Sequence, residues 1–129
     1  MAYQGRRLPE AELEIMLAIW KHEDPVTSST ILEQLQGRRS WALPTLMTVL
    51  SRLCDKGFLC CQKQGRYNMY SALVSESDYR ATEGKSLLSR LYSGSVPALV
   101  ASLYQSKAIN RQDLAELRRF LDELEEKES

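Results

Sequence analysis

One stretch in the middle of the chain limits the folds open to it. Leu46, Val49, Leu50 and Leu53 recur at i, i+3, i+4 and i+7, the period of a helix with one apolar face. Gly57 follows, a residue suited to the left-handed position just past a helix end. The pattern then changes period. Phe58-Leu-Cys-Cys-Gln and Tyr67-Asn-Met-Tyr-Ser-Ala-Leu73 are short β-like runs, the second rich in aromatics, joined by the turn Lys63-Gln-Gly-Arg66. A helix that runs straight into a hairpin is predicted here.

Two more helices are expected upstream. Leu8-Pro-Glu-Ala-Glu opens the first, with Pro9 in the first turn and Glu10 and Glu12 complementing the positive end of the dipole. Leu13, Met16, Leu17 and Trp20 are read as its inward face, and it should end near Lys21–Glu23. Val26 suits a short strand. Thr27 is a good N-cap for a second helix that turns Ile31, Leu32 and Leu35 inward and ends at Gly37. The third helix begins around Ala42–Pro44. Residues 8–74 thus read as helix–helix–helix–hairpin.

Downstream, the chain reads as helical. A long helix starting at Ser75–Asp78 carries Leu87, Leu88 and Leu91, and Ser93-Gly94 interrupts it. Val96–Tyr104 is a short apolar helix. Asn110 caps the last helix, with Asp113 three residues on in the manner of a capping box. Leu114, Leu117, Leu121 and Leu124 then recur at spacings of 3, 4 and 3, an a/d seam. In a chain of 129 residues such a seam has little core to fold back on, which favours a second subunit as its cover.

Composition removes several classes. Leu, Ile, Val and Phe make up 31 of the 129 residues, too many for a disordered chain. No apolar run approaches the ~20 residues that cross a bilayer, and the first residues hold no apolar signal core. Three cysteines leave an odd thiol, which suggests a reducing, cytoplasmic setting. With one histidine, no glycine-rich phosphate loop and no ordered triad, the usual enzyme constellations are missing. No cofactor or metal is expected. Cys60 and Cys61 are strand neighbours facing opposite ways, without a Cys-x-x-Cys partner pair. Cys54 reads as a packed thiol and His22 as a helix-end residue.

Net charge is zero, but its distribution is uneven. Residues 34–70 carry six cations (Arg38, Arg39, Arg52, Lys56, Lys63 and Arg66) against one acid, Asp55. Such a block suits phosphate contact, because Lys and Arg there release counterions from a duplex. With the apolar side of the third helix turned inward, Thr45, Thr48 and Arg52 project from another side, flanked by Ser51 and Lys56. Threonine and arginine bond phosphates and base edges. A second helix, a turn and this third helix make a helix-turn-helix, and the hairpin with Lys63 and Arg66 at its tip adds a wing. Trp41 and Pro44, at the start of the reading helix, join the expected DNA-binding residues, Trp41 also as a brace. The fold class expected is mainly α with a small β-hairpin: a winged helix-turn-helix DNA-binding domain over residues 1–74, then an α-helical dimerisation region over residues 75–129. The competing reading is a winged-helix adaptor that binds proteins rather than DNA.

Several segments carry a resemblance. They are Glu10-Ala-Glu-Leu-Glu-Ile-Met with Ile19-Trp20-Lys21, then Ser40-Trp41, and Thr45-Leu-Met-Thr48-Val-Leu-Ser-Arg52-Leu with Lys56-Gly57. Gly65-Arg66 with Tyr70, Glu76-Ser-Asp-Tyr79 and Leu88-Ser-Arg-Leu-Tyr92-Ser-Gly94 follow in order. Residues 8–104 resemble the penicillinase-repressor family of bacterial transcription regulators. The resemblance implies a homodimer, held through Leu88, Leu91, Leu99, Leu103, Leu114, Leu117, Leu121 and Leu124, that binds double-stranded DNA at an inverted-repeat operator and blocks transcription. In the β-lactam branch it also implies a membrane sensor protease as partner, with cleavage aligned to the Ser102–Leu103 bond. Proteolytic release and release by a small ligand both stay open. Family members often have Ser-Pro-Lys where this chain has Ala42-Leu43-Pro44, so one basic contact at the helix start is absent.

Overall fold

The computed structural model describes residues 5–23, 25–37 and 40–128. Arg38 and Arg39 of the basic block lie outside the described residues. The elements in chain order are α1 (Glu10–Trp20), β1 (Val26–Thr27), α2 (Ser28–Leu35), α3 (Leu43–Asp55), β2 (Leu59–Gln64), β3 (Tyr67–Ala72), α4 (Glu76–Tyr92), α5 (Val96–Gln105) and α6 (Arg111–Glu128). The chain divides into two compact units, Met1–Gly84 and Lys85–Ser129.

The first unit holds the core. α1, α2 and α3 pack on one another and on the sheet, and Ile15, Met16, Ile19, Ile31, Leu46, Leu50, Leu53, Phe58 and Leu59 are fully buried. Leu46, Val49, Leu50 and Leu53 are the buried side of α3, as the spacing predicts. Thr27 caps α2, its hydroxyl accepting from the Thr30 N–H at 3.2 Å. β1 pairs with β3, so the expected hairpin is part of a three-stranded antiparallel sheet of order β1-β3-β2.

The inward side of α1 differs from the expected one. Its buried residues are Glu12, Ile15, Met16, Ala18 and Ile19; of the expected face Met16 is fully buried, Leu13 and Trp20 are half-buried against the core, and Leu17 is half-buried. The true stripe, Glu12, Ile15, Met16 and Ile19, has the same helical spacing rotated by one residue. A carboxylate hid it, and that carboxylate is neutralised from α3: the Lys56 ammonium lies 2.5 Å from Glu12 Oε1. Burying an unpaired carboxylate is costly, so the partner is a condition of the packing.

The end of α3 is a tight reversal. The Gly57 N–H donates to the Cys54 carbonyl and the Phe58 N–H to the Leu53 carbonyl, at 3.1 and 2.9 Å. These are the two bonds of a Schellman cap, with Gly57 at φ +87 as the motif requires. Gly65, at φ +60 in the first position of a two-residue turn, reverses β2 into β3.

The first turns of α4 belong to this unit. Tyr79 is buried, its ring 5.7 Å from Trp20 and 6.0 Å from Phe58 between centroids. Its hydroxyl accepts from the Leu8 N–H at 2.8 Å, and Trp20 Nε1 donates to the Val74 carbonyl at 2.9 Å. The compact unit therefore extends to Gly84 rather than stopping where the hairpin ends.

The second unit is helical. Ser93 and Gly94, both at positive φ, break α4 from α5, and Ser95 caps α5 through its bond from the Ala98 N–H. Asn110 and Asp113 form the expected reciprocal capping box on α6, with bonds of 2.8 and 2.9 Å.

Replacing Lys56 by Ala leaves Glu12 buried without its cation and should cost about 2 kcal/mol in urea denaturation. Adding Glu12→Leu to Lys56→Met should recover most of that loss. An unchanged midpoint for Lys56→Ala would remove the pair from the account of the core.

Candidate nucleic-acid interface

α3 presents opposite characters on its two sides because Leu46, Val49, Leu50 and Leu53 fall on one. Pro44, Thr45, Thr48, Ser51 and Arg52 are exposed on the remainder. Arg52 sits in the last turn, where a cation complements the dipole. The Thr48 hydroxyl donates to the Pro44 carbonyl at 3.1 Å, which ties the first turn down and leaves the hydroxyl oxygen able to accept. The first turn carries no acid, and its N-cap, Ala42, makes no side-chain cap bond. Pro44 has no N–H, so the backbone N–H groups of that turn, those of Leu43 and Thr45, are left without a side-chain acceptor from the cap.

Lys63 pairs across the ribbon with Asn68, and Arg66 lies in the turn itself; both side chains are exposed. Among the described residues neither they nor Arg52 enters a salt bridge. Lys56 is different. It was expected beside Arg52 as a contact, but it caps the end of α3 and is engaged by Glu12, so its charge is committed inward. Trp41 is half-buried and packs on the core ahead of α3, the bracing position expected of it. Two exposed side chains escaped the sequence reading. Tyr67, 63% exposed, starts β3 beside Arg66, and Leu43, 49% exposed, is the first residue of α3. The alternation along β3 signalled the first. The second was taken only as a helix start.

The cysteines make no metal cluster with His, Asp or Glu among the described residues. Cys54 and Cys61 line one small cleft between α3 and the ribbon with Met47, Ser51, Asn68 and Tyr70. Burial, reinforced by the nearby Cys61, Asp55 and Cys60, pushes the Cys54 thiol up to about 11. Burial likewise raises the Tyr70 phenol. His22 sits just past α1, its Nε2 3.2 Å from Gln34 Oε1, so it ties two helices together.

In the second unit, Leu88, Leu99, Leu103, Leu114 and Leu117 are half-buried, whereas Leu91, Leu121 and Leu124 are exposed. Phe120, which the seam reading passed over, is 54% exposed on α6. Ser102 and Leu103 lie inside α5, and the Ser102 hydroxyl accepts from Tyr92 Oη at 3.1 Å.

Three helices, a polar and cationic side on the third, and an adjoining ribbon with exposed cations at its tip define a winged helix-turn-helix protein. The penicillinase repressor family model matches residues 8–123, and the chain belongs to that family. It is 32% identical to a penicillinase repressor of Bacillus licheniformis, over 91% of each chain. It is 30% identical to the methicillin resistance regulatory protein MecI of Mammaliicoccus sciuri, over 89% of this chain and 93% of that one. A solution structure of the DNA binding domain of the repressor BlaI matches 57% of this chain and 88% of its own, with 37% identity and a TM-score of 0.50.

Cys54 and Tyr70 hold their protons more tightly in the fold than in the unfolded chain. Stability linked to Cys54 is complete below pH 9, the ordinary thiol value, and is lost as pH rises towards 11, whereas that linked to Tyr70 is lost only above pH 10, the ordinary phenol value. Urea midpoints should therefore fall over that interval in the wild type and fall less in Cys54→Ala. Equal slopes in the two proteins would show that Cys54 contributes nothing to the alkaline loss.

Proposed function

We propose that this protein is a dimeric transcriptional repressor. α3 enters the major groove of an inverted-repeat operator, and the β2–β3 wing follows the adjoining phosphate backbone. The observation that carries this reading is the set of exposed side chains on one side of α3 (Thr45, Thr48, Ser51 and Arg52) together with exposed Lys63 and Arg66 on the wing, which form no salt bridge among the described residues. Family membership supports it, since the relatives are named as repressors and regulators. Arg52 and Thr48 are assigned to base edges or the groove, Thr45 to phosphate or the groove wall, and Lys63 and Arg66 to phosphate.

The second half of the proposal is pairing. Leu91, Phe120, Leu121 and Leu124 are large apolar side chains between 40% and 64% exposed. Apolar surface left open along a helix is the signature of a partner face, and a second copy supplies the same seam. Two copies related by a two-fold axis would set two α3 helices on half-sites one helical turn, or a multiple, apart. Release by cutting at Ser102–Leu103 would require α5 to unwind first, because the bond lies within a hydrogen-bonded helix.

Two measurements test this. Arg66→Ala should weaken binding to every duplex and reduce the salt slope by about one unit, whereas Arg52→Ala should cost about 1–3 kcal/mol and relax preference at one base pair. Fluorescence polarisation against specific and random duplexes distinguishes the two effects. Binding that is absent, or indifferent to salt, would favour the adaptor reading instead. Light scattering at micromolar concentration should report twice the mass of one chain, and Leu121→Asp with Leu124→Asp should halve it; a monomeric wild type would refute the pairing.

A further inference from the structure

The tip of α3 is unusual for a surface that meets DNA. Its first turn has no charged side chain, and its first residue is a leucine left 49% exposed, while Leu46, Val49, Leu50 and Leu53 on the same helix are buried. Leu43 precedes Leu46 by three residues and would extend the core line, but the helix outruns the core by one turn. The turn is also stiff. Pro44 fixes its own φ and restricts Leu43 before it, and the Thr48 hydroxyl holds the Pro44 carbonyl. A bulky apolar side chain is thus presented in a set position at the end of the helix that carries Thr45, Thr48 and Arg52.

The chemistry of the groove limits what such a side chain can meet. The major groove offers hydrogen-bonding edges and one apolar group, the C5 methyl of thymine. In helix-turn-helix docking, the N-terminal residues of the reading helix approach the base edges. We infer that Leu43 reads a thymine methyl, so that each half-site of the operator carries a thymine recognised by shape rather than by a charged contact. The inference rests on the repressor reading above and specifies what the first turn of α3 selects. With no charge in that turn, the selection there would be insensitive to salt, unlike the contacts of Arg52 and the wing.

The test uses the full chain and a duplex selected by it from a random pool. Each thymine is replaced in turn by deoxyuridine, which removes only the methyl. The wild type should lose about fourfold in affinity at one thymine per half-site, the loss expected for one buried methyl-sized group, and equally at low and high salt. Leu43→Ala, at an exposed position, should keep its melting temperature and its salt slope but bind the thymine and deoxyuridine duplexes alike. Leu43→Met should retain the discrimination. If no thymine shows a methyl effect, or if Leu43→Ala keeps it, the inference is overturned while the repressor reading stands. If no sequence is selected at all, both fall.

Discussion

The junction at Lys56-Gly57-Phe58 governs the rest of the structure. Within three residues the chain leaves α3, turns through a glycine at positive φ, and buries Phe58 completely. The two cap bonds fix the angle at which the ribbon departs, and Lys56 closes the same end by neutralising Glu12 of α1. The reading helix and the wing are therefore positioned by one reversal. The apolar side of α3 anchors to α1 and α2, and whatever remains exposed is set relative to the wing by geometry rather than by flexible linkage.

Charge follows the same division of labour. A chain with no net charge can still address a polyanion if its cations stand together and its acids stand elsewhere. Lys56 qualifies the count, since a cation that neutralises a buried acid is not available to phosphate. The cations that matter are those without an acidic neighbour, and in the described residues of this region they are Arg52, Lys63 and Arg66. Position on the fold, not the sum of a segment, decides which charges act outward.

Much of this was legible in the sequence, for reasons tied to particular residues. α3 was clear because Leu46, Val49, Leu50 and Leu53 recur at helical spacing and allow one inward side. The ribbon was clear because a short turn with glycine separates two β-like runs, and the capping box at Asn110 stated its own geometry. α1 misled because it is apolar around most of its circumference and its true stripe includes an acid whose partner lies 44 residues away. β1 joining the sheet, and Tyr79 joining the core, are long-range pairings that local patterns do not encode. Leu43 carried a signal of a different kind: a residue in register with the core yet one turn beyond its edge.

Tyr79 has a consequence for where the reading unit can be cut. The side chain closes the floor beneath Trp20 and Phe58 and holds the backbone of Leu8, yet it lies on a helix that sequence alone assigns to the other half of the protein. A fragment ended after the ribbon would lack one wall of its own interior, exposing two aromatic faces and freeing the chain ahead of α1. The opening turns of α4 belong with the first unit, so the boundary between the two compact units runs through the middle of a helix rather than through a loop.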